Sequence, residues 1–209
     1  MDINPNGTIP TLLIDGTMLN ESTEMGEYID AFFDGPSLRP TAPVDRQRMR
    51  GWGKWMDSYF GPSLSMIGWH AFVGPFAREN KGEDELRQAI ARIPLKERRD
   101  AWTMALFGLF PEEQLDESRR RVHAGIRFIE AELGKSTWFA GEHYSLADIN
   151  AFSNLYALPV SQPQSANADA TPNLMAWLKR CYQRPAVLKS FEYGRTHLEQ
   201  RALDVMKSL

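Results

Sequence analysis

The sequence predicts a mostly α-helical protein in which a small α/β segment precedes an all-helical bundle. Three observations carry this reading. From Val44 onward apolar residues recur every three or four positions, as in Met49, Trp52, Met56, Tyr59 and Phe60, while Arg46, Arg48, Lys54 and Asp57 fall elsewhere. The stretch from Thr8 to Ile14 is instead short and β-rich, and the tight-turn dipeptide Asp15-Gly16 follows it. Helix punctuation then marks the later chain, with Pro111 and Gly134 bracketing an amphipathic run from Glu112 to Leu133.

Taken in order, residues Thr8–Ile14 and Thr17–Asn20 read as the arms of a small hairpin. Glu21-Ser22-Thr23 then opens a short helix whose apolar face is Met25, Tyr28, Ile29 and Phe32, and Gly35-Pro36 ends it. Ser37 to Pro43, with two prolines, is an extended linker. The expected organisation is therefore an α/β part at 1–35, a linker at 36–43 and a helical domain at 44–209. Within the latter, Gly61-Pro62 is expected to kink the first long helix rather than to separate domains. Glu83 to Phe107 reads as a less regular helical region broken near Pro94. A helix follows from Ser145 to about Leu158, then a polar loop from Pro159 to Pro172. Two final helices, Pro172–Arg184 and Ala186 to about Met206, flank Pro185.

Tyr144-Ser145-Leu-Ala-Asp148-Ile149 has the form of a capping box. The Ser145 hydroxyl accepts from the amide of Asp148, the Asp148 carboxylate reaches back to the amide of Ser145, and Tyr144 and Ile149 occupy the staple positions. A reciprocated cap already uses the carboxylate oxygens, so Asp148 is read as structural.

Composition excludes several functions. The 209 residues are 43% hydrophobic and 24% charged, enough apolar material for a substantial core. Twenty-four basic against 27 acidic residues give a net charge of −3, which is no footprint for nucleic acid. No apolar run approaches the ~20 residues of a membrane span. The start, Met1-Asp-Ile-Asn-Pro, lacks the basic and apolar regions of a secretory signal, so a cytoplasmic location is expected. A single cysteine, Cys181, excludes a disulfide framework and a cysteine-ligated metal, and no role falls to it. The four histidines are scattered, and there is no His-Glu-x-x-His pair, phosphate loop or Gly-x-Ser-x-Gly elbow. No metal site is expected. Aromatic residues, 11% with six Trp, concentrate before residue 140, which suits either a core or an apolar pocket for flat ligands.

Together these pieces resemble the glutathione transferase family. Asn4-Pro-Asn-Gly-Thr-Ile-Pro-Thr-Leu12, Asp15-Gly16 and Glu21-Ser22 match the second half of its thioredoxin-like domain, and Phe139 to Ile149 match the capping box of its helical domain. More narrowly, Leu38-Arg-Pro40, Arg48-Met-Arg-x-Trp-x-Lys-Trp55, Asp57-x-Tyr-Phe60 and Ile67-Gly-Trp69 look like the bacterial glutathione-dependent β-aryl etherases of lignin breakdown. The family places a strand, a helix and a second strand before the Asn-Pro-x-Gly motif, a unit of ~30 or more residues. Here the motif begins at Asn4, so the chain is read as lacking the segment that holds the family's thiol-activating hydroxyl or thiol, and no catalytic residue is named.

The resemblance implies glutathione as cosubstrate. It makes Pro10 cis, so that Ile9 pairs through its backbone with the cysteinyl part of the ligand, and it gives Glu21 and Ser22 the γ-glutamyl end, as helix N-termini hold anions. It also turns the stripe Trp52, Met56 and Tyr59 toward a second, aromatic electrophilic substrate, although such spacing equally suits core. Trp69, Trp102 and Phe107 are weaker candidates for that site. The implied activity is cleavage of β-aryl ethers by the glutathione thiolate. The alternatives are a general detoxifying transferase and a non-catalytic binding module. The family pairs as a homodimer, here through about Thr23–Phe33 and Asp45–Tyr59.

Overall fold

A computed structural model describes Asn4, residues 8–193 and residues 197–208 of the chain. It contains one hairpin, β1 (Leu12–Ile14) and β2 (Thr17–Leu19), and twelve helices among the described residues. The motif residues Pro5, Asn6 and Gly7 lie outside the described residues. The chain forms two compact units and crosses between them more than once: Met1–Asp34 with Pro62–Arg120, and Gly35–Gly61 with Arg121–Leu209. Among the described residues no helix is long and apolar enough to cross a membrane.

The first unit opens with the hairpin, whose antiparallel register pairs Leu12 with Leu19, Leu13 with Met18 and Ile14 with Thr17. That leaves Asp15 and Gly16 as a two-residue turn, with φ of 47° and 78°. Both values are positive, as the turn that matches strand twist requires, and Asp-Gly supplies them at low cost. Helix α1 (Ser22–Phe32) follows, and the Phe33 amide closes it on the Ile29 carbonyl. Of its apolar face only Met25 is buried; Ile29, Phe32 and Phe33 are exposed.

The helical path then runs through α2 (Pro43–Trp55), α3 (Gly61–Gly68) and α4 (Gly74–Lys81), with a wider π-type turn at Met56–Phe60 and another at Trp69–Val73. The expected kink at Gly61-Pro62 is made by the first of these turns. Gly61 N–H bonds the Met56 carbonyl five residues back. In a regular α-helix Pro62 would leave the carbonyl four residues before it without a donor and press its ring against it. The extra residue of a π-type turn relieves both problems. Gly74-Pro75 repeats the device, with Gly74 N–H on the Trp69 carbonyl, and the sequence reading had no counterpart for it.

Two shorter helices, α5 (Glu83–Ala91) and α6 (Lys96–Phe107), form where an irregular helical region broken near Pro94 was expected. Leu86, Ile90 and Leu106 are their buried core, packed by Trp69, Ala77, Trp102 and Phe107. Each such apolar side chain stabilises its unit by about 1.5–3 kcal/mol. Trp69 and Trp102 meet edge to face at 5.0 Å, so these rings serve packing in the first unit.

Helix α7 (Glu112–Leu133) has the predicted limits. In the second unit α8 (Leu146–Leu155) is shorter than expected. The polar stretch after it begins as one more helical turn, α9 (Leu158–Ser161), because Leu158 and Pro159 are buried there. The two final helices are three: α10 (Pro172–Tyr182), α11 (Pro185–Ser190) and α12 (His197–Ser208). Phe191 is buried at the end of α11 and stacks on Tyr182 at 5.8 Å, which stops the helix short of a continuous run.

The capping box of α8 is present, and it does more than cap. Asp148 is fully buried; Oδ1 accepts from the Phe139 amide at 3.1 Å and the Trp177 indole at 2.9 Å, and Oδ2 from the Ser145 amide at 2.9 Å and hydroxyl at 3.1 Å. Ser145 Oγ in turn accepts from Ala147 N–H at 3.2 Å. The staple differs from expectation: Tyr144 packs edge-on against Trp138 and beneath the Arg184 guanidinium, and Ile149 is 43% exposed. Burial pushes the Asp148 carboxyl above its ordinary value while the four donors pull it back.

Ser145→Ala is expected to cost about 1 kcal/mol, the usual loss of a cap. Asp148→Asn should cost more, about 3 kcal/mol, because an amide group turns two N–H bonds toward buried donors and leaves them unpaired. Urea unfolding of both variants checks the ranking; Asp148→Asn no less stable than Ser145→Ala would contradict it.

Candidate functional site

Two clusters match the residues singled out from the sequence, one in each unit. In the first unit Asn4 is buried, and its side-chain amide reaches the Thr8 carbonyl at 2.7 Å, the Thr8 hydroxyl at 2.9 Å and the Thr11 hydroxyl at 2.7 Å. Thr11 Oγ1 donates to the Thr8 carbonyl at 2.9 Å. These bonds fasten the short loop that carries Ile9 and Pro10. The Ile9–Pro10 peptide bond is cis. Ile9 is 93% exposed.

Glu21 stands at the other end of the hairpin with φ 69° and ψ 110°. A non-glycine residue in that region costs of order 1–3 kcal/mol and persists only where its surroundings enforce it. Its carbonyl accepts the Met25 amide at 3.0 Å and so begins α1. The helix cap is thus Glu21, and no side chain caps it; Ser22 is the first helical residue. A helix start without a side-chain cap directs partial positive charge at whatever faces it.

The second cluster lies on α2, the first π-type turn and α7. Met56 is fully buried, so it supports the cluster from behind. Trp52 and Tyr59 are half-buried. Trp52 touches Trp55 at 5.5 Å, Phe128 at 5.3 Å and Phe139 at 4.6 Å between ring centroids. Trp55 continues the surface to Tyr59 at 5.6 Å and Phe128 at 5.4 Å. Phe128 remains 45% exposed. The Arg121 guanidinium lies 5.5 Å from the centre of the Tyr59 ring.

Behind this wall Phe60 is fully buried and stacks on Trp55 at 5.3 Å. It fits only because α7 carries glycine at 125: a Cβ there would stand 2.5 Å from the Phe60 ring and 3.2 Å from Trp55. Phe128 and Arg121 were not singled out from the sequence, and Trp55 entered only as part of the etherase-like motif, with no site role. Trp55 shares the three-and-four spacing of Trp52 and Tyr59, so that signal was available. Phe128 and Arg121 sit on a helix remote in sequence, and nothing local marks them.

A separate cavity of 340 Å³ lies between α10 and the loop after α7. Of its lining side chains, Arg180 donates to the Thr137 carbonyl at 2.7 Å and Asn173 to Glu130 at 2.7 Å, while Arg180 Nε is buried without a hydrogen-bond partner. Among the described residues no group of three or more His, Cys, Asp or Glu side chains could hold a metal ion. Burial pushes the Tyr144 hydroxyl up to about 12 and the Cys181 thiol upward as well, so neither ionises near neutral pH.

Comparison with known proteins decides the family. The description "Glutathione S-transferase, C-terminal domain" matches residues 60–185, and "Glutathione S-transferase, N-terminal domain" matches residues 1–31. The chain belongs to the glutathione S-transferase family. It is an enzyme of that family, for which glutathione is the cosubstrate. It is 37% identical to the protein LigF of Sphingobium sp. strain SYK-6 over 200 residues, 92% of this chain and 77% of that one. The crystal structure of the beta-etherase LigF from the same strain superposes with a TM-score of 0.84, covering 92% of this chain and 81% of that one. Glutathione S-transferase 2 of Saccharomyces cerevisiae is 28% identical, over 90% of this transferase and 69% of the yeast protein.

Gly125→Ala is expected to destabilise this transferase by about 1–3 kcal/mol, the range for forcing a methyl group into a filled core. The urea midpoint measures it, and a midpoint unchanged within error would show that the Phe60 ring has room to give.

Proposed function

We propose that this transferase cleaves β-aryl ethers of lignin-derived aromatics. The glutathione thiolate attacks the carbon bearing the aryloxy group beside a ketone. A carbon–sulfur bond forms, the carbon–oxygen bond breaks, and the electron pair leaves on the phenolate oxygen. The observation that carries the glutathione half is the strained Glu21 before a helix start that no side chain caps. Ser22 and the first-turn amides hold the γ-glutamyl carboxylate there, Glu21 accepts from its ammonium, and Ile9, beside Pro10, pairs with the cysteinyl backbone. No residue is assigned to the sulfur.

Trp52 and Tyr59, with Met56 behind them, give the electrophile a flat apolar surface. Rings suit such a substrate, because apolar contact excludes water and orients the attacked carbon for an effectively intramolecular step. The likeness to LigF at 37% identity supports an aryl ether over other electrophiles. A homodimer in the cytoplasm completes the reading, and the exposed Ile29, Phe32 and Phe33 of α1 supply apolar surface for pairing.

Calorimetry and product release test the activity. Ser22→Ala should weaken glutathione by about 1–3 kcal/mol, the loss of a donor to a bound charge. Phenol should be released from an α-keto β-aryl ether in the presence of glutathione. Equal glutathione affinity of wild type and Ser22→Ala would remove the half-site, and glutathione binding without phenol release would leave a binding module. For assembly, light scattering at micromolar concentration should give the mass of two chains; a single-chain mass would refute the pairing.

A further inference from the structure

The cavity between α10 and the loop after α7 carries charge of both signs. Its polar side chains are Lys135, Ser136, Thr137, Glu142, Asn173 and Arg180, and its volume is about 340 Å³. Thr137 stands between two of the charges. Its carbonyl accepts from Arg180 Nη2 at 2.7 Å, and its hydroxyl donates to Glu142 Oε2 at 3.3 Å. The Arg180 guanidinium also lies 5.4 Å from the centre of the Trp138 ring. Trp138 is fixed in turn by two main-chain bonds with Gly141, at 2.9 and 3.0 Å. Among the described residues the Thr137 carbonyl is the one hydrogen-bond partner of this guanidinium, and its Nε is buried without any. Among the same residues no carboxylate pairs with Arg180 and no cation pairs with Glu142. The neighbouring charges are already paired. Lys135 bonds Glu132, and Glu130 accepts from the Asn173 and Leu174 amides at 3.0 and 2.9 Å.

We infer that this cavity binds a free α-amino acid with a polar side chain, its carboxylate on Arg180 and its ammonium on Glu142. A guanidinium held by stacking and one hydrogen bond still presents N–H groups, in the planar fork that a carboxylate takes in two bonds. Glu142 keeps acceptor capacity beyond its bond from Thr137, and an ammonium has three donors to offer it. A simple anion would be repelled by Glu142 and a simple cation by Arg180. One molecule carrying both charges satisfies both groups and loses its translational freedom once. An α-amino acid carries them on a single carbon, a spacing that suits two charges held on either side of one residue. Ser136, Thr137 and Asn173 make the rest of the lining polar, so an amide side chain fits better than an apolar one. The volume lies at the low end for small-molecule sites, which suits one amino acid rather than a peptide. The cavity shares no residue with the half-site proposed for glutathione or with the aromatic wall.

L-Glutamine, L-glutaminamide and N-acetyl-L-glutamine share a side chain; the second lacks the carboxylate and the third the ammonium. Each is titrated calorimetrically into the wild-type chain, Arg180→Gln, Glu142→Gln and Ser22→Ala, with the melting of every variant recorded. The wild type should bind L-glutamine about tenfold more tightly than either analogue, the loss of one charge-assisted bond. Arg180→Gln should lose the preference over L-glutaminamide, and Glu142→Gln the preference over N-acetyl-L-glutamine. Glu142 is exposed and its replacement still accepts from Thr137, so that variant decides the matter even where Arg180→Gln melts early. Ser22→Ala should bind L-glutamine as the wild type does; a loss there would place the amino acid at the start of α1 and overturn the cavity. S-Methylglutathione carries the same head group on a peptide. If Arg180→Gln weakened it as much as L-glutamine, the ligand would be a γ-glutamyl peptide and the single amino acid would be overturned. No binding of L-glutamine, or binding that both cavity variants leave unchanged, would overturn the site.

Discussion

Asp148 is a buried carboxylate whose two oxygens take four donors, and those donors come from three separated stretches of the second unit. Moving an ionised carboxylate out of water costs several kcal/mol, and only a full set of well-aimed donors offsets it. The offset therefore constrains the donors as much as the acid. Ser145 is held where α8 must begin, the Phe139 backbone is held against that start, and the Trp177 indole on α10 is held in register with both. Phe139 then meets Trp177 at 5.0 Å and Trp52 at 4.6 Å. The proposed acceptor wall is thus two contacts from the carboxylate. A loss at Asp148 would release the ring against which Trp52 is set, even though Asp148 touches no substrate.

The proposed glutathione half-site rests on a different kind of constraint. Its elements are small: two strands of three residues, one buried asparagine and one strained glutamate. Such a hairpin is marginal alone in water. Asn4 is tied to Thr8 and Thr11, and Glu21 is held at φ 69°, ψ 110° between β2 and α1. The strain puts the helix start immediately after the hairpin, where a more relaxed connection would need further residues and would carry the first-turn amides away.

Much of this was legible in the sequence wherever the cause is local. Asp15-Gly16 dictates its turn because only two residues are involved and both tolerate positive φ. Ser145 and Asp148 announce a helix start because the two partners are three residues apart. The same carboxylate's bond to Trp177 spans 29 residues, and no local pattern encodes it. Met56 lay on the right stripe, yet its depth depends on what covers it, and it is core. Gly61-Pro62 signalled a distortion, but the choice between a bend and a wider turn depends on neighbouring helices: a Cβ at Gly61 would meet Asn154 of α8 at 2.9 Å, and one at Gly74 the Ala105 carbonyl at 2.8 Å. The break between α11 and α12 follows from the burial of Phe191 against Tyr182, again a contact between elements.

The two halves also differ in what they tolerate. On the proposed reading, a carboxylate held by first-turn amides and an ammonium held by Glu21 need those groups within a few tenths of an ångström, because a hydrogen bond fails steeply with angle and a buried charge left short of partners is costly. A backbone locked by a strained residue and a buried asparagine meets that demand. An aryl ring needs area, exclusion of water and an orientation, and a patch of rings on one helical face supplies these without directional bonds. Rings can be exchanged for one another at modest cost, so the proposed wall is where substrate preference would shift while the thiol donor stays the same.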